Sequence, residues 1–154
     1  MSTKLSAWVK SPLGQLLGIV SRFGLALVWL VSGYQKIVDP MGFRQSIEAY
    51  EMFPPELVSL IAVTLPPAEI LLGIFLLVGL FIVPAAAVSA LIMVGFIVGV
   101  SSAAVRGLEI DCGCFSAGDG EPSSLGLVIV RDVVFLAMAV WAILFPYRRF
   151  ALHP

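Results

Sequence analysis

The chain has 154 residues, 60% of them hydrophobic and 12% charged, with a mean hydropathy of +1.05. Soluble domains run at roughly 45–50% apolar and about 25% charged, so a water-soluble fold of this length could not hide so much apolar surface. A net charge of -1 without runs of like charge excludes a nucleic-acid surface, and two cysteines are too few for a disulfide framework.

A bilayer core of roughly 30 Å calls for about 20 apolar residues in a helix. Four segments meet that template, so the expected fold is all-α: a single membrane domain over 1–154, a four-helix bundle with spans at about 13–33, 57–80, 84–105 and 125–146. The first span, Leu13 to Gly33, is interrupted only by Arg22. It exceeds the 7–15 residues typical of a secretory signal core, so Lys4 and Lys10 read as a flank of the span. Next, Phe43, Ile47 and Tyr50 recur at helical spacing within Phe43–Phe53, with Arg44, Glu48 and Glu51 between them. That pattern predicts a short amphipathic helix, sealing the bundle or lying on the membrane surface.

Leu57–Val105 are 49 residues in which Glu69 is the only charge, enough for two spans hinged at Gly79–Pro84. Proline suits the first turn of a helix, where its missing N–H would have no partner anyway. Pro66 and Pro67 fall just before Glu69, where lost backbone bonds would kink the helix or make room for a polar group. Gly14 with Gly18, and Gly95 with Gly99, have the spacing that lets membrane helices approach closely.

Four spans put both termini on one side. Lys4, Lys10, Arg148 and Arg149 flank that side against Lys36, Arg44 and Arg106 in the two longer connections, and this four-to-three bias assigns the termini to the cytoplasm. The connections at 34–56 and 106–124 then face outward.

Arg22, Glu69, Arg131 and Asp132 lie within spans, where each charge costs at least roughly 2.5–3.5 kcal/mol at the bilayer centre. They should therefore face inward and pair: Arg22 with Glu69, and Arg131 with Asp132 or Glu69, with Lys36 near the outer mouth. Such a set either fixes the helix arrangement or lines a cavity or proton path. The second constellation is Asp111-Cys112-Gly113-Cys114-Phe115, in which glycine lets two thiols reach each other. A disulfide in so small a ring is strained, which makes it oxidising and labile. Arg106 would lower a cysteine pKa and Glu109 and Asp111 would raise it. The same pair could instead be an inert clip, a buried dithiol, or part of a copper(I) site; two thiolates fill only half a zinc shell, and no metal is expected.

In order along the chain, Arg22-Phe23-Gly24, Ser32-Gly33-Tyr34-Gln35-Lys36, Leu65-Pro66-Pro67-Ala68-Glu69, Gly73, Arg106-Gly107, Cys112-Gly113-Cys114-Phe115 and Arg131-Asp132 resemble the DoxX-like superfamily of small four-helix membrane proteins, in its MauE branch. Ser116 departs from the glycine expected after Cys-Gly-Cys-Phe and leaves the thiols intact. The resemblance implies a bacterial cell-membrane protein of extracytoplasmic thiol redox that supports disulfide formation or maturation of exported proteins beside a thioredoxin-like partner. Cys112 and Cys114 are then the candidate redox pair, and Arg22, Lys36, Glu69, Arg106, Arg131 and Asp132 the supporting charged network. Passing electrons on to a membrane quinone would make the chain an enzyme, although no quinone-binding signature is visible. Two rival classes are a small-solute or proton transporter using the intramembrane charges and a non-catalytic assembly subunit. The oligomeric state stays open.

Overall fold

The computed structural model describes residues 2–108 and 125–152. In chain order these form α1 (Ser2–Val9), α2 (Pro12–Val38), α3 (Pro40–Ala49), α4 (Pro55–Val78), α5 (Ile82–Val105) and α6 (Leu125–Leu144). The described residues contain no strand. Four helices, α2, α4, α5 and α6, are long and apolar enough to cross a bilayer, and they make an all-helical membrane bundle. Helices suit that setting because every backbone polar group between their ends is satisfied within the segment.

Local chemistry sets the helix ends. Ser11 accepts a hydrogen bond from the Gly14 N–H at the start of α2, and Pro12 follows it in the first turn. No breaker occurs until Asp39-Pro40, so α2 continues past the expected end at Gly33 and carries Lys36 on its last turn. Asp39 closes α2 and opens α3, accepting from the Gly42 N–H at 2.9 Å. The hinge after α4 falls at Gly79, whose φ of 77° is the left-handed geometry that ends helices, with its N–H on the Phe75 carbonyl. Pro84 is the third residue of α5. Helix α4 is continuous through Pro66 and Pro67.

Between apolar helices in lipid no hydrophobic drive operates, and association rests on close packing and cross-helix hydrogen bonds. Helix α2 lies along α4, α5 lies along α6, and α2 also meets α6, whereas α4 and α5 touch each other far less. The α2–α4 seam is tight at Gly33 and Gly73: a Cβ on Gly73 would stand 2.7 Å from Leu30 Cγ and 3.0 Å from the Ala26 carbonyl oxygen. Leu25, Ala26, Trp29, Leu76, Ala85 and Ala139 form the buried centre. There the Trp29 indole N–H donates to Ser89 Oγ at 2.9 Å, and the Ser89 hydroxyl donates to the Ala85 carbonyl.

The expected amphipathic helix is α3. Its Phe43 and Ile47 pack on Val58, Ile61, Ala62 and Leu65 of α4, so it seals the bundle at that end. At the other end Trp8 meets Trp141 edge to face at 5.5 Å and Gly18 packs on Tyr147, which brings both termini together.

The Gly95 and Gly99 spacing does not mark a helix contact: a Cβ on Gly95 would meet nothing within 4 Å. Gly73→Val should lower stability by about 1–3 kcal/mol through overpacking, seen as a reduced thermal midpoint in detergent. Gly95→Ala should leave the midpoint unchanged, and equal effects of the two would contradict the tight-seam reading.

Candidate functional site

Helix periodicity puts Ser32 and Lys36 one turn apart on the same face of α2, and that face meets the buried edge of α4 carrying Pro66, Glu69 and Gly73. The Lys36 ammonium donates to Ser32 Oγ at 2.6 Å and to both Glu69 carboxylate oxygens at 2.8 Å. Lys36 is 2% exposed and Glu69 fully buried. The rings of Phe43 and Phe96 lie 5.1 and 5.8 Å from the ammonium and face it with their negative π clouds. Glu69 therefore pairs with Lys36 and not with Arg22, and Lys36 is turned into the bundle instead of sitting at its mouth. The reason is reach: Lys36, on the extended last turn of α2, is at the same level as Glu69, while Arg22 lies nearly four turns lower.

Arg22 is also fully buried, and backbone carbonyls satisfy it. Its Nε donates to the Leu76 carbonyl at 2.8 Å and Nη2 to those of Leu77 at 3.1 Å and Phe150 at 3.3 Å. Nη1 donates to the carbonyls of Tyr147 at 3.1 Å and Arg149 at 2.7 Å. The last carbonyls of α4 lack intrahelical partners and carry the negative end of the helix dipole, so a guanidinium with five donors suits them. Arg22 thereby ties the segment after α6 to the end of α4.

Arg131 and Asp132 pair with each other: Arg131 Nε and Nη2 donate to Asp132 Oδ1 at 3.0 and 2.8 Å. Asp132 is 1% exposed, and among the described residues its Oδ2 has no hydrogen-bond partner. Arg106, exposed just beyond α5, donates to the Ser102 and Tyr50 carbonyls and so holds the end of α3 against the end of α5. Cys112 and Cys114, with Glu109 and Asp111, lie outside the described residues. Among the described residues no three His, Cys, Asp or Glu side chains converge as a metal site would require.

Beside the Lys36–Glu69 pair is a cavity of about 490 Å³ between α3, α4 and α5. Lys36, Phe43, Tyr50, Phe53, Phe96 and Gly95 are among its lining residues. Ser32 as a partner of Lys36 is not expected from the sequence, and a cavity is expected only as one reading of the intramembrane charges, without its place between α3, α4 and α5. The i, i+4 spacing of Ser32 and Lys36 was the one signal available for the first; the cavity depends on how far α4 and α5 stand apart, which no local pattern encodes.

The family model described as methylamine utilisation protein MauE matches residues 14–145. The chain belongs to the MauE family. That match takes in nearly all of the four spans and Arg22, Lys36, Glu69, Arg106, Arg131 and Asp132, together with the segment containing the two cysteines. A MauE relative, the methylamine utilization protein MauE of Paracoccus denitrificans, is 29% identical over 120 residues, 77% of this chain. The chain spans 64% of that relative's length. No solved structure matches this MauE-family chain.

Removing one member of a buried ion pair strands the other charge, at a cost of about 3–5 kcal/mol. Glu69→Leu should therefore destabilise the bundle strongly, and adding Lys36→Met should recover most of the loss; thermal midpoints of the four proteins of that cycle measure the coupling. In Arg22→Met the segment 147–150 should loosen, so trypsin should cut at Arg148 and Arg149 several-fold faster than in the unaltered chain. Unchanged cleavage would show that the five carbonyl contacts do not hold it.

Proposed function

We propose that this multi-pass membrane protein works in thiol–disulfide redox on the outer side of a bacterial cell membrane, with Cys112 and Cys114 as its redox pair. The observation that carries the reading is Cys112-Gly113-Cys114 in the connection between α5 and α6 of a chain whose family match runs through it. The family is described by methylamine utilisation, and we extend to this chain a part in maturing exported proteins that such a process requires.

In the proposed exchange the thiolate of one cysteine attacks a disulfide of a soluble thioredoxin-like partner and forms a mixed disulfide. The second cysteine attacks the first, closing the Cys112–Cys114 disulfide and releasing the partner as a dithiol. Two electrons and two protons pass to the partner, and the same steps in reverse reduce this chain. The membrane bundle serves as the support. Arg106 ties the end of α5 to the end of α3, and Arg22 ties the end of α4 to the segment after α6.

The transporter reading is the weaker one, because its charges are committed elsewhere: Arg22 to backbone carbonyls and Glu69 to Lys36. A pair so placed serves the arrangement of helices before it serves a path.

A membrane-impermeant maleimide, applied to sealed cells before and after reductant, tests the proposal. Cys112 and Cys114 should label from outside and only after reduction, and Cys112→Ser or Cys114→Ser should trap a partner as a reductant-sensitive adduct. Labelling from the cytoplasmic face alone would overturn the reading. Glu69→Gln should leave the labelling pattern intact in whatever protein reaches the membrane.

A further inference from the structure

We propose that the end of the bundle where the termini meet is a docking surface for anionic phospholipids, with four cations for the headgroup phosphates and exposed apolar side chains that reach among the acyl tails. Charge in this chain is sorted along the bundle. Lys4, Lys10, Arg148 and Arg149 belong to this end, whereas all 10 acidic residues fall between Asp39 and Asp132 in the sequence. The parts that build the end are α1, the first half of α2, the turn from α4 to α5 and the segment after α6, and none of them contains an acidic residue.

Tertiary contacts gather the four cations. Trp8 of α1 packs on Trp141 near the end of α6 at 5.5 Å, and the turn with Lys10 follows directly, its N–H donating to the Ser6 carbonyl. After α6, Tyr147 lies on Gly18, and the Leu152 N–H donates to the Val78 carbonyl at 3.2 Å. Between these points buried Arg22 holds the carbonyls of Tyr147, Arg149 and Phe150. With that backbone tied inward, the side chains of Arg148 and Arg149 are left exposed, as are those of Lys4 and Lys10. The ion pairs among the described residues are Lys36–Glu69, Arg44–Glu48 and Arg131–Asp132, so none of the four has a carboxylate partner there.

Unpaired cations of this kind select a phosphate or phosphodiester anion, which guanidinium groups meet with paired hydrogen bonds. The apolar groups beside them decide its source. Phe150 is 83% and Leu152 78% exposed, next to Arg149, and Trp8 is exposed beside Lys10. A free phosphate in water gains nothing from such side chains, whereas a lipid brings an anionic head and an apolar tail to the same depth as this mixed surface. Each lysine or arginine close to an anionic leaflet strengthens attachment by about fivefold. The site belongs to the leaflet that the termini face, which the lysine and arginine count assigns to the cytoplasm.

The test places the full chain in nanodiscs of mixed phosphatidylcholine and phosphatidylglycerol, extracts it gently and counts the retained lipids by mass spectrometry. Phosphatidylglycerol should be retained about tenfold above its share in the disc. Lys4→Gln, Lys10→Gln, Arg148→Gln and Arg149→Gln combined should bring retention down to that share, at an unchanged thermal midpoint in phosphatidylcholine alone. Phe150→Ser with Leu152→Ser should lower retention several-fold although all four cations remain. Arg44→Gln, which removes a cation of the opposite end, should retain the lipid as the unaltered chain does, and inorganic phosphate should not displace it. Full retention by the four-site or the Phe150–Leu152 variant, loss in Arg44→Gln, or displacement by inorganic phosphate would each overturn the proposal. Cys112→Ser with Cys114→Ser should retain the lipid unchanged, so failure of the thiol reading and failure of this one are separately visible.

Discussion

Within hydrocarbon no water is at hand to satisfy a charge or an open carbonyl, so each must find its partner inside the protein. The bundle meets that demand at three places. Lys36 meets Glu69 between α2 and α4, Arg22 collects the carbonyls at the end of α4, and Arg131 meets Asp132 on α6. The first two cross between elements far apart in the chain and therefore fix how those elements lie against each other. Apolar helices in lipid would otherwise slide along one another at small cost, because the tails of the lipid are as apolar as leucine. A single buried pair in the right register removes that freedom: when α2 shifts by one turn, about 5.4 Å, Lys36 and Glu69 no longer meet.

The packing follows from that anchor. With α2 and α4 held by the ion pair, Gly33 and Gly73 let the two backbones come close, and Trp29 reaches across to Ser89 of α5. Helix α5 is then drawn onto α6, and α4 is left standing off from α5 on the side where α3 closes the end. The space so formed is lined by the same Lys36 that holds the seam. Helices α5 and α6, which flank the connection holding the two cysteines in the sequence, lie along each other.

Legibility in the sequence differed residue by residue. Four spans were readable because lipid imposes a length and a composition that no soluble core demands, and the α4–α5 hinge was readable because Gly79 and Pro84 have only a few conformations open to them. The Arg131–Asp132 pair was foreseeable from adjacency. The Arg22–Glu69 pairing was an inference from charge alone, and it failed because neutralising a cation needs acceptors and not specifically a carboxylate. Five backbone carbonyls at the end of α4 and after α6 did that work for Arg22, and carbonyls carry no mark in a sequence. Lys36 was assigned to a mouth because the span was ended at Gly33, although the helix has no reason to stop before Asp39-Pro40.

Taken alone, the sequence determined the solvent of this protein, the number of its long helices, the places where they end, and which charges would have to be buried. All of these are decided by local composition and by the conformational limits of glycine and proline, which act within a few residues. Tertiary structure alone decided who partners whom and where space remains. Partnership depends on the register and separation of helices distant in the chain, and the cavity beside Lys36 exists because α4 and α5, neighbours in sequence, are held apart by what each packs against.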